Sequence, residues 1–268
     1  MSFGEYRVGT SGFSYQDWRG VFYPEDLPTG KMLDYYAQYF NTVEVNSTYY
    51  RIPNRAVFYH LSRKTPPDFD FMVKTHQETT HQRQNPEQAM QALIEAVQPL
   101  VEAGKFSGFL AQFPYSFKNT PENRDYLKQT RELAGDYPLF VEFRNWTWNR
   151  QEVFQFLREN NLGYVNVDQP RLRGLLPPQS VLTTDAGYVR FHGRNKQEWW
   201  QGTNETRYNY LYTEEELKEW LGRIATLLKQ SKRTHIFFNN HPQGKAVKNA
   251  LQLKALLESH LPLFETPA

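Results

Sequence analysis

No cysteine occurs among the 268 residues, which excludes disulfides, thiolate chemistry and cysteine-ligated zinc or iron–sulfur clusters and fits a reducing compartment. No stretch approaches the roughly 18 apolar residues of a membrane-spanning helix. The opening segment MSFGEYRVGT runs into a strand-like pattern without the basic and apolar regions of a secretory signal. These absences predict a cytoplasmic protein with no membrane attachment. A charge surplus is lacking too: 31 basic residues face 29 acidic ones for a net charge of +2, and no dense basic run stands out, so nucleic acid is not the expected partner. Aromatics, by contrast, make up 16% of the chain, and most of these rings must serve packing because each has a large apolar area to bury.

Eight short apolar runs follow one another: Arg7–Thr10, Thr42–Asn46, Asp70–Lys74, Gly108–Gln112, Leu139–Arg144, Tyr164–Asp168, Tyr188–His192 and His235–Asn239. Each precedes a polar stretch and usually a helix-like segment. Strands alternating with helices predict βα units and a parallel sheet, and eight of them predict closure into one α/β domain spanning 1–268, a (β/α)8 TIM-type barrel; an open doubly wound sheet is the competing topology. Asn85-Pro86-Glu87-Gln88 and Thr120-Pro121 carry cap-and-proline helix starts, the first helix stopping near Gly104. Thr213-Glu214-Glu215-Glu216 forms a capping box before Leu217, Trp220, Leu221 and Ile224, and another helix begins near Gly244. Between strands six and seven, Pro170 to Ala186 contains Pro177-Pro178 and shows no helical period, which predicts a degenerate connection.

Alternate side chains of a barrel strand point inward, and the C-terminal strand ends converge on one mouth. That parity, applied to the polar residues late in each strand, places Glu44 with Asn46, Lys74, Gln112, Glu142 with Arg144, Asn166 with Asp168, Arg190 with His192, and Asn239 around one cavity. Val43, Val45, Val141, Phe143, Val165, Val167, Val189 and Phe191 would then pack against helices. Glu44, Lys74, Glu142, Asp168 and His192 are the candidate catalytic residues, and Asn46, Gln112, Arg144, Arg190 and Asn239 the candidate substrate contacts. Buried charges cost several kcal/mol unless well paired, so so many polar groups at a mouth point to a ligand. A structural ion-pair plug of Glu142, Arg144, Asp168 and Arg190 would explain the same pattern.

Two long connections add to this. From His192-Gly193-Arg194-Asn195 to Tyr212 runs a loop with Trp199, Trp200, Gly202, Tyr208 and Tyr210, suited to a lid or stacking wall, or to an aromatic cluster on the barrel rim. Asn239-Asn240-His241-Pro242-Gln243-Gly244-Lys245 enters a helix whose free N–H groups would favour phosphate or another anion. Arg194, Asn240, His241 and Gly244 therefore join the binding set, with Lys245 adding charge; Gly244 as a plain helix start is the alternative.

Several of these segments together resemble a known bacterial family, domain of unknown function 72, also called YecE-like. They are Gly9-Thr10-Ser11-Gly12-Phe13 with Trp18, Gly20 and Phe22-Tyr23-Pro24, then Val43-Glu44-Val45-Asn46-Ser47-Thr48-Tyr49-Tyr50, Phe71-Met72-Val73-Lys74 and Ala111-Gln112-Phe113-Pro114. Val141-Glu142-Phe143-Arg144, Val165-Asn166-Val167-Asp168, Val189-Arg190-Phe191-His192-Gly193-Arg194 and Phe238-Asn239-Asn240-His241 complete the match, which covers nearly the whole chain. The resemblance implies a triose-phosphate-isomerase type of barrel and specifies no reaction.

The residues themselves favour an enzyme acting on a small polar metabolite, sugar-like or anionic, with the carboxylates and His192 for acid–base work and Lys74, Arg144 and Arg190 for oxyanions. Glu142, Asp168 and His192 on successive strands also resemble the ligand order of metal-dependent sugar isomerases, although strand eight offers Asn239, Asn240 and His241 where a carboxylate is expected. A Glu44–Glu142 hydrolase pair, a Schiff base on Lys74, and a non-enzymatic ligand-binding or nucleic-acid adaptor are further alternatives. The sequence specifies no cofactor and no oligomeric state.

Overall fold

In the computed structural model, which describes residues 3–265, eight parallel strands lie in the order β1-β8-β7-β6-β5-β4-β3-β2. They are β1 (Glu5–Thr10), β2 (Thr42–Val45), β3 (Asp70–Lys74), β4 (Phe106–Gln112), β5 (Leu139–Glu142), β6 (Gly163–Asp168), β7 (Ala186–Phe191) and β8 (Arg233–Phe238). The seam between β1 and β2 is short: a single bridge joins Ser11 to Glu44, with Gly12 N–H donating to the Glu44 carbonyl at 2.8 Å. Gly9 makes that approach possible, since a Cβ there would lie 2.4 Å from the Thr42 carbonyl oxygen. The result is a nearly closed TIM-type barrel.

Helices cover the outside: α1 (Met32–Tyr36), α2 (Arg55–Arg63), α3 (Pro86–Glu102), α4 (Pro121–Leu133), α5 (Gln151–Glu159), α7 (Glu214–Lys218), α8 (Leu221–Leu228) and α9 (Lys245–Glu265), while the short α6 (Asn204–Arg207) lies at the barrel mouth. The expected caps form at Thr120, whose side chain accepts from Asn123 N–H, and at Thr213, where the reciprocal box with Glu216 is complete. Asn85 precedes α3 without a side-chain cap, Pro86 alone setting the first turn. Between β6 and β7 no helix forms, as the proline pair predicts. Among the described residues no helix is long and apolar enough to cross a membrane.

The barrel interior is layered. At the bottom Asp70 accepts from His235 Nε2 at 3.0 Å and Arg233 at 3.2 Å. Burial opposes ionisation of Asp70, but His235, Thr42 and Arg7 outweigh it and lower its pKa to about 2. Above them Phe140, Tyr188 and Phe237 pack ring against ring, with centres 5.1 and 5.4 Å from Tyr188. Gly163 leaves room for Phe140, whose ring carbon would sit 2.3 Å from a Cβ there.

Strand β6 departs from the expected parity. Val165 pairs with Tyr188 and Val167 with Arg190, and partners across a parallel ladder share a face. Since Tyr188 and Arg190 point into the barrel, Val165 and Val167 do too, and Asn166 and Asp168 face outward. The missing helix supplies the reason. An extended connection covers β6, and its backbone needs polar partners: Asn166 Nδ2 donates to the Val181 carbonyl at 2.9 Å and Asn166 Oδ1 accepts from Val181 N–H at 2.8 Å.

Candidate active site at the barrel mouth

The C-terminal strand ends open into a cavity of about 640 Å³. Arg190 of β7 spans its floor, Nη1 donating to Glu142 Oε2 at 2.5 Å and Nη2 to Glu44 Oε1 at 2.7 Å. Glu44 also accepts from the Tyr188 hydroxyl at 2.5 Å, and Glu142 from Arg144 Nη2 at 2.9 Å and His192 Nε2 at 3.1 Å. Burial by itself would raise the Glu142 carboxyl; Arg144, Arg190 and His192 overcome it and hold the group well below the ordinary carboxylate range. For His192, burial followed by the neighbouring Arg144 lowers the pKa to about 3, so the ring is neutral. Its contact with an ionised carboxylate assigns the hydrogen to Nε2, leaving Nδ1 to accept from Asn239 Nδ2 at 3.1 Å.

On this floor two arginines offset two glutamates, and Lys74 is the unbalanced group. Its Nζ donates to Gln112 Oε1 at 2.8 Å and lies 4.5 Å from the Tyr49 ring centre. Both nearby carboxylates are taken by Arg190, and among the described residues Lys74 enters no ion pair. Burial, then Arg190 and Arg144 against the opposing Glu142 and Glu44, lowers its pKa to about 7. His81 stands edge-on to the same Tyr49 ring at 5.0 Å. Burial, with Lys74 and Arg144 beside it, takes this imidazole down to about 4.

The rim is aromatic. Tyr15 stacks on His241 with centres 4.6 Å apart and planes at 6°, and Trp200, half exposed, meets Tyr115 edge-on at 4.8 Å. The connection after β7 arches over the opening, where Asn204 Nδ2 donates to the Tyr50 hydroxyl at 3.3 Å. Trp199 is buried beneath it with the Arg144 guanidinium 5.7 Å from its ring.

Of the residues singled out in the sequence, Asn46, Lys74, Gln112, Arg144, Arg190, Asn239 and His241 line the cavity. Glu44, Glu142 and His192 lie directly beneath, in contact with that lining. Asn46 Oδ1 is buried without a hydrogen-bond partner. Asp168 stands apart, on the helix side of the wall, accepting from Trp220 Nε1 at 2.7 Å, the Tyr212 hydroxyl at 2.7 Å and Arg194 Nε at 2.9 Å. The order Glu142, Asp168, His192 therefore does not become a ligand set, and among the described residues no three His, Asp or Glu side chains gather as metal ligands.

The anion site expected between Arg194 and the start of α9 does not assemble. Arg194 is consumed by Asp168 and by Glu219 at 2.9 Å, and Lys245 bonds to Asn209. Asp17 Oδ2 accepts the Gln243 N–H at 2.7 Å, and Val21 covers Gly244 so closely that a Cβ there would lie 2.8 Å from it. A carboxylate already occupies the helix start, which leaves Gly244 in a conformational role at φ 69°. Asn240 is likewise turned away, donating to the Tyr210 carbonyl and Asn249.

The sequence pattern of the family described as Protein of unknown function DUF72 matches residues 7–268. The chain belongs to the DUF72 family. The UPF0759 protein YunF of Bacillus subtilis is 31% identical over 268 residues, covering 94% of each chain. A DUF72 crystal structure from Thermotoga maritima superposes with a TM-score of 0.89 at 44% identity, over 95% of this chain and all of the other. One from Enterococcus faecalis gives 0.84 at 28% identity, over 94% and 95%.

In this DUF72 chain Tyr15, Tyr49, His81 and Tyr115, none of them among the site residues expected from the sequence, also line the cavity. Each sits in the connection that follows a strand, where side chains gather at the mouth. Tyr49 had a usable signal, lying five residues beyond Glu44 in the stretch that carries the family resemblance. His81 had none, because the π-helical turn Glu78–Gln82 that presents it leaves no period in so short a segment.

Proposed function

We propose that this protein is an enzyme that binds a small polar, anionic metabolite at the barrel mouth and uses Lys74 for the chemical step. The observation that carries this is a part-buried amine with no carboxylate partner, facing a cavity of metabolite size. A lysine kept for stability alone would be expected to hold an ion pair. Because Arg144 and Arg190 balance Glu44 and Glu142, an anion entering the cavity supplies the charge that Lys74 lacks.

The partly neutral amine suits proton abstraction near neutral pH, and Arg144 is placed to hold the anionic group. Asn46 Oδ1 offers an acceptor to a substrate hydroxyl or N–H, and the tyrosine and tryptophan rim suits the faces of a sugar-like molecule. Hydrolysis by a Glu44–Glu142 pair fits poorly, since a general acid must be protonated and Glu142 is held ionised by two arginines.

Thermal shift against panels of carboxylated, phosphorylated and neutral metabolites tests the proposal, because a ligand that binds only the folded state raises its stability. Anionic compounds should raise the melting temperature of the wild type and fail to do so for Arg144→Ala. Stabilisation confined to neutral compounds, or unchanged in Arg144→Ala, overturns it.

A further inference from the structure

Lys74 is held at one end by the Gln112 amide and the Tyr49 ring, with its nitrogen facing the cavity. We propose that Lys74 is a nucleophile that forms an imine with the carbonyl carbon of a small anionic aldehyde or ketone bound in the cavity. This rests on the anion-binding enzyme proposed above and names its substrate class. Three observations bear on it. The amine is part-buried at the end of β3 and lines the cavity, so a carbonyl bound there lies within its reach. One N–H is directed to Gln112 Oε1 at 2.8 Å, which orients the group and leaves its lone pair unshared. No carboxylate pairs with it among the described residues, and the pull of Glu142 and Glu44 towards the protonated form is outweighed by burial and Arg190.

A nucleophile needs its lone pair aligned with the carbonyl at near-contact distance, and the Gln112 bond and Tyr49 face restrict the amine to that end. Burial and the adjacent arginines add to this by favouring the neutral amine, the form that attacks.

In the step itself the Nζ lone pair forms a C–N bond to the carbonyl carbon while the C=O π electrons move to oxygen. That oxygen takes up the proton lost from nitrogen, giving a carbinolamine. The nitrogen lone pair then forms C=N as the C–O bond breaks, the hydroxyl leaving as water after accepting one more proton, and the resulting iminium gives up its N–H proton in return to leave the imine. Neutral His81, on the same Tyr49 ring, is available to relay these protons. Overall one amine and one carbonyl give one imine and one water, with no oxidant or reductant consumed.

Cyanoborohydride converts such an imine to a stable secondary amine that peptide mass spectrometry locates. The full chain is incubated at neutral pH with pyruvate, with dihydroxyacetone phosphate or with neutral dihydroxyacetone, and then reduced. Pyruvate and the phosphate distinguish a carboxylate from a phosphate as the anionic group, and the neutral ketone reports reactivity without an anion. The expected result is an adduct on the Lys74 peptide at least about tenfold above that on exposed lysines such as Lys64 and Lys229, set by the larger neutral fraction of Lys74. The adduct should come from at least one anionic carbonyl, exceed that from dihydroxyacetone, and be absent from Lys74→Met. In a parallel arm formaldehyde replaces the anionic carbonyls, so that the reactivity of the amine is read without an anion site. An unmodified Lys74 in both arms, beside labelled surface lysines, overturns the imine. If anionic metabolites stabilise the protein in an Arg144-dependent way while Lys74 stays unmodified, imine formation falls and the anion-binding enzyme stands.

Discussion

The indole N–H of Trp220 donates to Asp168 Oδ2 at 2.7 Å on the outer side of the barrel wall. This bond, with those from Tyr212 and Arg194, ties the last residue of β6 to the start of α8 and to the loop that arches over the mouth. Asp168 is thereby an anchor for the lid-like connection and lies outside the cavity. Asp168→Asn keeps the shape but leaves the buried part of Arg194 without its bidentate partner. It should lower unfolding stability by about 3 kcal/mol in denaturant titrations, while the folded fraction retains ligand affinity. Lost affinity with unchanged stability would return Asp168 to the site.

Glu142→Gln removes the charge that Arg144, Arg190 and His192 share. Arg190 keeps Glu44, but Arg144 is left without a carboxylate, so a loss of about 3 kcal/mol is expected by urea unfolding. The adjacent polar residues remain correctly shaped, and circular dichroism should stay native below the transition. A variant as stable as wild type would show that the floor is not held by its ion pairs.

Two buried groups predict how stability varies with acid. Asp70 has a folded pKa of about 2 against roughly 3.9 for an unperturbed aspartate. Depressed in the folded state, it contributes about 2 kcal/mol above pH 4, and this is lost as pH falls towards 2. His192, at about 3 when folded, stays neutral while the unfolded chain binds its proton below roughly pH 6.5. The unfolded state then holds more protons, so stability falls as pH drops from about 6.5 towards 3. Urea midpoints measured across this range should decline from near pH 6.5 and steepen below 4, and His192→Asn should reduce the slope of the upper segment, His81, lowered to about 4, carrying the rest. A flat profile between 6.5 and 4 in the wild type would contradict the neutral, buried imidazole.

Trp200 is half exposed at the rim, against Tyr115. Trp200→Ala should change unfolding stability by less than about 1 kcal/mol and weaken the ligand found by thermal shift by about fivefold, the value of one aromatic contact. Unchanged affinity would leave the ring without a part in binding.

The eight strands were legible because apolar runs bounded by turn residues survive any packing arrangement. Observed ends differ from the expected ones by no more than about two residues. The absent helix after β6 was equally legible, from Pro177-Pro178. For β2, β5 and β7 the alternation of acid, base and valine told which face was inward, because only one face of each could hold paired charge. The same inference failed on Val165-Asn166-Val167-Asp168. Either face of that strand could be polar, and the choice depended on its register with β7 and on Val181, Tyr212 and Trp220, residues distant in the chain.

Local composition thus determined that this chain makes βα units and carries charges late in its strands, since periodicity and turn chemistry act over a few residues. Tertiary structure alone decided which charges meet. Arg194 and Gly244 belong to segments that looked like an anion site, yet Asp168, Glu219, Asp17 and Val21 claimed them first. Lys74 stood out in the sequence by its place at the end of a strand, but its lowered pKa and its lack of an ion pair come only from what surrounds it. Desolvation and neighbouring charge are sums over the folded environment, and the carboxylates that could have paired with it were already taken by Arg190.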